Sequence, residues 1–280
     1  LASDTDKLDR FWVIREPYLV PTWDGTNVTL DWGNWTGTCS SFDIYITNNL
    51  TAGFSATPNA TTSSTSWQDT NAGDDDQRYY KVTCNATGVQ IEGNVTKIKY
   101  ELKKGAINRR TWITMPSMNP PITNQDALIK ALQPNCDMVG WWNSTSQKME
   151  TYAKLTPTKF GGVPFDVKPA RGYEVIVTVN TTWTVVGWVP PICPLELKKG
   201  AINRRTWIGM PFNTTIDNED ALIKNIQPNC DMVGWWNSTS QKMETYTKLT
   251  PTKFGGVPFD VKPARGYEVI VTANTTWPPR

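Results

Sequence analysis

Chemistry in a protein chain needs particular side chains at particular spacings, and here one of them is missing outright. The 280 residues contain no histidine. That removes the commonest general base, the usual Ser and Cys triads, and most transition-metal sites. The acidic run Asp74, Asp75, Asp76 offers oxygen ligands for calcium. The spaced pattern of a calcium loop is absent, however, so the run reads as a solvated turn between strands. No nucleophile, base and orienting group remain to be combined, and the chain reads as a non-enzyme without cofactor or metal.

The residue types that do recur carry a different chemistry. Asn-X-Ser/Thr sequons begin at Asn27, Asn34, Asn49, Asn59, Asn85, Asn94, Asn143, Asn180, Asn213, Asn237 and Asn274, eleven in all. Each is an acceptor for an N-linked glycan on exposed chain of an exported protein. Five cysteines in such a chain point to an oxidising compartment. The net charge of +2 provides no field to draw nucleic acid. No apolar run reaches the length of a membrane span. No charged-then-apolar signal segment opens the chain, so Leu1 reads as the start of a processed product. The expected setting is extracellular, at a cell surface.

What positions these residues is a duplication. Leu102 to Ile113 returns unchanged as Leu197 to Ile208, and from Gln133 to Trp183 only Ala153/Thr247 and Val179/Ala273 differ in the second copy. Self-similarity of this length means stacked or strung modules. Near-identity over surface and core alike indicates a unit used in multiples, not one site tuned to one reaction.

Ahead of the copies, short alternating segments with turn residues between them form a sandwich pattern: Val28 to Trp32, Phe42 to Ile46, Ser66 to Gln68, Tyr79 to Cys84 and Asn94 to Tyr100. Trp32, the run Tyr80 to Cys84, and Gly93 to Thr96 entering the last strand resemble a fibronectin type III domain. In that topology the third and sixth strands are antiparallel neighbours. The resemblance therefore places Cys39 beside Cys84 and implies a disulfide that staples a small sandwich.

Within each copy, Ile107 to Met115 reads as a strand, and Thr123 to Asp126 as a capping box opening a short helix with Leu128, Ile129 and Leu132 on its apolar face, stopped by Pro134. The second copy offers Asp217 as cap and Asp220 three residues on. Met138 to Trp142 and Gln147 to Tyr152 flank a turn at Asn143, a hairpin; Phe165 to Val167 and Gly172 to Thr178 supply further strands. The unit resembles a repeat of archaeal and some bacterial cell-surface proteins. The matching residues are Leu102, Gly105, Asn108, Pro116, Cys136, Val139, Trp142, Pro169, Gly172, Tyr173 and Trp183, while Arg109, Arg110 and Arg171 depart from the commoner apolar or glycine residues. That repeat occurs after fibronectin-like domains on surface proteins, and the resemblance implies no catalytic activity.

Some residues keep two readings. On an alternating strand one of Trp141/Trp142, and one of Trp235/Trp236, faces the core; the other serves packing, a subunit contact or a sugar platform. The Lys103-Lys104 and Arg109-Arg110 clusters read as a solvated face or as a surface that meets acidic glycans or a neighbouring subunit. Cys193 pairs with Cys136 or with Cys230. The run Trp188 to Pro194 is a stiff connector. Copy one continues beyond Trp183 into a strand to Val189, whereas copy two meets Pro278 and Pro279 after Trp277. An open edge is expected there. Phe11, Trp12, Val13 and Ile14 form either the first strand of their own sandwich or a strand that fills that edge, beside Trp277, in a neighbouring subunit. Head-to-tail filling gives an open filament.

The expected fold is mainly β. An immunoglobulin-like (fibronectin type III) sandwich over 1–100 is followed by two tandem small β-rich domains, 101–190 and 191–280, each with one short helix. The expected function is that of an extracellular glycosylated structural protein, a homopolymer carrying covalent N-glycans. The alternative is an adhesin or carbohydrate-binding module of a larger surface protein.

Overall fold

The computed structural model describes residues 19–91, 93–104, 110–115, 122–189, 194–199, 205–210 and 214–277. Seven strands build the N-terminal unit: β1 (Val20–Trp23), β2 (Val28–Asp31), β3 (Phe42–Thr47), β4 (Ala60–Thr62), β5 (Ser66–Asp69), β6 (Gln77–Cys84) and β7 (Val95–Leu102). They form two antiparallel sheets, β1-β2-β5 and β4-β3-β6-β7, an immunoglobulin-like sandwich. Alternation explains the assignment. Val28 and Leu30 turn inward to meet Trp32, Ile44, Tyr80 and Val82, all fully buried, while Thr29 and Asp31 between them do not. Cys39 and Cys84 are joined by a disulfide across the β3–β6 pair, closing a loop of 45 residues. By loop entropy that bond stabilises the sandwich by ~4 kcal/mol.

Copy one contains β8 (Thr111–Thr114), α1 (Gln125–Ala131), β9 (Cys136–Asn143), β10 (Lys148–Thr156), β11 (Lys159–Gly162), β12 (Gly172–Val177) and β13 (Thr181–Trp188). Its sheet runs β11-β10-β9-β12-β8, with α1 packed on β9 and β10 through Leu128 and Ile129. Copy two repeats this with β14 (Leu195–Leu197), β15 (Arg205–Gly209), α2 (Glu219–Asn225), β16 (Cys230–Asn237), β17 (Lys242–Lys248), β18 (Phe254–Gly256), β19 (Gly266–Val271) and β20 (Thr275–Trp277). The chain is thus mainly β, with two short helices among the described residues.

Several details correct the expectations. The helix caps are Asn124 and Asn218, not Thr123 and Asp217. Their side chains accept from the amides of Ala127 (2.9 Å) and Ala221 (2.8 Å), the reach an N-cap needs. Asp126, freed from capping, lies in the first turn and pairs with Lys130 four residues on. Phe165 to Val167 forms no strand; only Asp166 bridges, to Asn124, because this stretch crosses the helix N-terminus instead of joining the sheet. The sheet's outer strand is β11, which a Gly-rich, Lys-flanked sequence had not announced.

One strand does not respect the expected boundaries. β13, the last strand of copy one, pairs along all eight residues with β7, from Thr181↔Leu102 to Trp188↔Val95. It therefore completes copy one at one end and becomes the edge strand of the sandwich sheet at the other. Its alternating side chains serve two cores: Val185 packs with Tyr79, Tyr100 and the copy-one residues, Val186 with Trp32 and the sandwich residues. The boundary expected at residue 100 falls inside β7.

Candidate functional site

Of the residues singled out from sequence, Trp142, Trp236, Arg110 and Arg171 meet at the contact between the two copies. Trp112 on β8 and Trp207 on β15 are equivalent residues, and their rings meet at 4.5 Å between centroids. Around them a set of contacts appears twice with the copies exchanged. Ile113 bridges to Arg265 and Ile208 to Arg171. The amide of Thr114 donates to Ala264 O (3.0 Å), and that of Gly209 to Ala170 O (2.6 Å). The amide of Arg110 donates to Gln241 Oε1 at 3.1 Å, that of Arg205 to Gln147 Oε1 at 3.3 Å. Trp236 approaches Trp112 (6.4 Å) as Trp142 approaches Trp207 (6.5 Å). This is the logic of an isologous dimer, residue i on j and j on i, realised inside one chain.

Arginines and carboxylates fix the register. Glu174 lies opposite Trp112 across the β8–β12 pair, accepts its indole N–H at 3.3 Å, and meets Arg110 at 2.8 Å. Glu268 does the same with Trp207 (3.1 Å) and Arg205 (3.4 Å). Burial raises the pKa of both carboxyls, and the guanidiniums offset part of that rise. Arg110 also lies over the Trp236 ring and Arg205 over Trp142, at 5.3 and 5.1 Å. Arg171 has a matching use: it covers Trp141 at 4.0 Å, as Arg265 covers Trp235 at 4.1 Å.

At the centre the two copies cannot be identical. Thr114 and Gly209 are equivalent positions, and a Cβ on Gly209 would lie 1.8 Å from Thr114 Oγ1. Only one side has room for a side chain. Thr114 takes it and donates its hydroxyl to Arg171 O at 3.0 Å.

No family model matches the chain, and no curated protein matches it. Among solved structures it is similar to the FN1–FN3 domains of chicken CNTN1, at 11% identity over 92% of this chain and 94% of that one, with a TM-score of 0.18. A likeness at that score carries no weight here, and the sandwich is assigned on its own strand order. Among the described residues no helix is long and apolar enough to cross a membrane.

The remaining candidates are distributed as follows. Asn34, Asn49, Asn59, Asn85, Asn180 and Asn274 are exposed, Asn27, Asn94, Asn143 and Asn237 half-buried, and Asn213 lies outside the described residues. Cys136 and Cys230 are free, fully buried thiols, so neither forms the expected bridge to Cys193, which lies outside the described residues. Each Sγ–H faces a backbone carbonyl, and burial pushes both thiols up to about 12. Trp277 is 1% exposed inside copy two, its indole donating to Asn225 Oδ1 at 2.8 Å. Its side chain therefore offers no surface to another subunit. Phe11, Trp12, Val13 and Ile14 lie outside the described residues. The acidic run is engaged within the sandwich: Asp75 pairs with Arg78 (2.6 Å) and Asp76 with Lys99 (3.5 Å).

Sequence reasoning missed the functional weight of Trp112, Trp207, Glu174 and Glu268. The signal was present as an acidic residue in an otherwise apolar strand, Gly172 to Val177, facing a tryptophan strand in both copies.

Proposed function

We propose that this chain is an extracellular, N-glycosylated structural protein, a subunit of a cell-surface filament or lattice that polymerises through its β-rich domains. One observation carries the reading: the last strand of copy one adds to the sandwich sheet along its whole length, and the two copies lock face to face. Strand addition of this kind is also how extended segments join neighbouring subunits. A chain whose paired tryptophans, arginines and buried carboxylates are spent on joining its own parts fits a load-bearing role. Exposed sequons in all three units and a disulfide in the sandwich support an oxidising, exported setting. The resemblance of the copies to surface-protein repeats, and of the first unit to fibronectin type III domains, points the same way.

Electron microscopy of native material tests this. Uniform filaments or a lattice with a regular subunit repeat are expected; dispersed single particles at high concentration would overturn it.

A further inference from the structure

Every equivalent pair named at the contact between the copies carries the same residue on both sides except one, Thr114 and Gly209. That exception decides which faces fit each other. Copy one laid on another copy one would put two threonines into one space, because a Cβ added at Gly209 falls inside the Thr114 side chain. Copy two on another copy two would leave the space empty and lose the hydroxyl bond from Thr114 to Arg171 O at 3.0 Å. Crowding and voids both destabilise a close-packed centre. The rest of the face is made for close approach from either side: a Cβ on Gly172 would meet Trp207 Cβ, and one on Gly266 would meet Ile113 O, each at 3.0 Å. The face therefore accepts the unlike copy and discriminates against the like one. Nothing in it records whether the unlike copy belongs to the same chain.

Copy two is built to change partners as a unit. Its core holds residues of copy two alone, whereas copy one shares its core and β13 with the sandwich. Among the described residues, the strands of copy two form sheets only with one another, and two isolated bridges cross to copy one. Leaving copy one would thus break a face and no sheet. The sequence joining the two bodies, Val189 to Pro194, carries three prolines, a composition that favours an extended connector. We infer that the chain joins a second copy of itself by exchanging copy two, which seats on the other chain's copy one, and that Thr114 and Gly209 enforce the unlike pairing. Exchange of an identical element is a low-cost route to assembly, since it needs no contact that the closed chain lacks. Reciprocal exchange closes a dimer, and exchange passed from chain to chain gives an open fibre.

The test uses full-length chain, an equal mixture of isotope-labelled and unlabelled protein incubated at high concentration and read by native mass spectrometry. Dimers of mixed mass are expected at their statistical share. The double variant Thr114→Gly/Gly209→Thr moves the side chain to the other face and keeps the fit within its own chain. It should exchange with its own labelled form, but ~10-fold less with wild type, because that mixed dimer holds one crowded and one empty contact. Conversely, Gly209→Thr mixed with Thr114→Gly should form more mixed dimer than either forms alone, since both contacts then fit. Absence of mixed dimers among wild-type chains overturns the inference whether or not the variants fold. Equal mixing of wild type with the double variant also overturns it, by showing that the chains meet elsewhere. Native filaments built from chains that never exchange would sink this inference and leave the structural reading intact. Exchange with only dispersed dimers in micrographs would do the reverse, so the two fail separately.

Discussion

Copy one and copy two are nearly the same sequence in two different settings. Copy one shares its apolar core with the sandwich, because Tyr79, Ile98 and Tyr100 pack with its own residues and β13 runs the full length of β7. Copy two has a core of its own, closed by the three-residue pair of β14 and β20. The closing tryptophans record the difference. Trp183 leans half-buried on Tyr100 at 5.2 Å, while Trp277 is sealed inside and tied to Asn225, a position where copy one has Ala131. The comparison teaches that the repeat is a unit with two adhesive faces: one meets its twin, and the other accepts whatever strand precedes it.

Breaking the shared face has the largest expected effect. Trp112→Ala and Trp207→Ala each remove a buried ring from the symmetric centre, and each should lower the free energy of unfolding by about 3–5 kcal/mol in denaturant titrations. The two losses should be similar, since each ring packs on the other. A large inequality would mean that the two faces are not equivalent.

Making the copies more alike should also harm the protein. Gly209→Thr forces a second side chain into the space held by Thr114, and about 1–3 kcal/mol of stability should be lost. Adding Thr114→Gly should restore most of it, because the vacancy then lies on the other side. If the double variant is no better than the single one, the asymmetry at this position has another origin.

The buried thiols report how firmly each setting holds its copy. Both are fully buried with a pKa near 12, so alkylation at neutral pH requires local opening. Cys230, in the copy with the separate core, is expected to label before Cys136. Equal rates would show that fusion with the sandwich adds nothing to copy one.

Titration sharpens the comparison at the symmetric contact. The native pKa values of Glu174 and Glu268 are raised, so their protonated forms favour the folded state. Their contribution is full below the unfolded carboxyl value and is lost as pH rises through the raised native value. Stability measured against pH should therefore fall over that window, and Glu174→Gln or Glu268→Gln should flatten the fall. The effect should be larger at Glu268, whose guanidinium is farther away, 3.4 Å against 2.8 Å at Glu174.

How much of this was legible in the sequence depended on whether the information was local. Alternation gave β2 and β3, which bury one face, apolar and aromatic runs between turn residues gave β6, β9 and β12, and the apolar trio Leu128, Ile129, Leu132 gave the helix. The strands β1 and β4 were missed because Pro21 and the run Ala60 to Thr62 carry little apolar signal. The cap was placed one residue early because Thr123 and Asn124 are both good caps, and only the backbone chooses between them. The reciprocal contact was invisible in principle. A near-perfect duplication announces two units, but whether they lie strung along a connector or face each other depends on Trp112 meeting Trp207, residues 95 positions apart in identical segments. The same holds for Cys136 and Cys230: the sequence offered either of them as the partner of Cys193, and both are free, buried thiols.

The smallest effect concerns sites at which the copies agree. Asn143 and Asn237 each hold a hairpin turn: the side-chain oxygen accepts two backbone amides, and the nitrogen donates to Glu150 at 2.6 Å or Glu244 at 2.7 Å. That nitrogen is the atom a glycan would take, and here it is half-buried and committed to a carboxylate. Asn180 and Asn274 are built the opposite way. Their oxygen accepts the amide of Lys104 or Lys199, their nitrogen donates to none of the described residues, and both residues are exposed. In native protein, occupancy should therefore be high at Asn180 and Asn274 and low at Asn143 and Asn237, in both copies equally. Glycopeptide mass spectrometry can read all four separately, because Val179 and Ala273 distinguish one pair of peptides and Ala131 and Asn225 the other. Full occupancy at Asn143 would mean that the sugar is attached before the hairpin closes, and that the turn in the mature protein is held by something other than the Asn143–Glu150 bond.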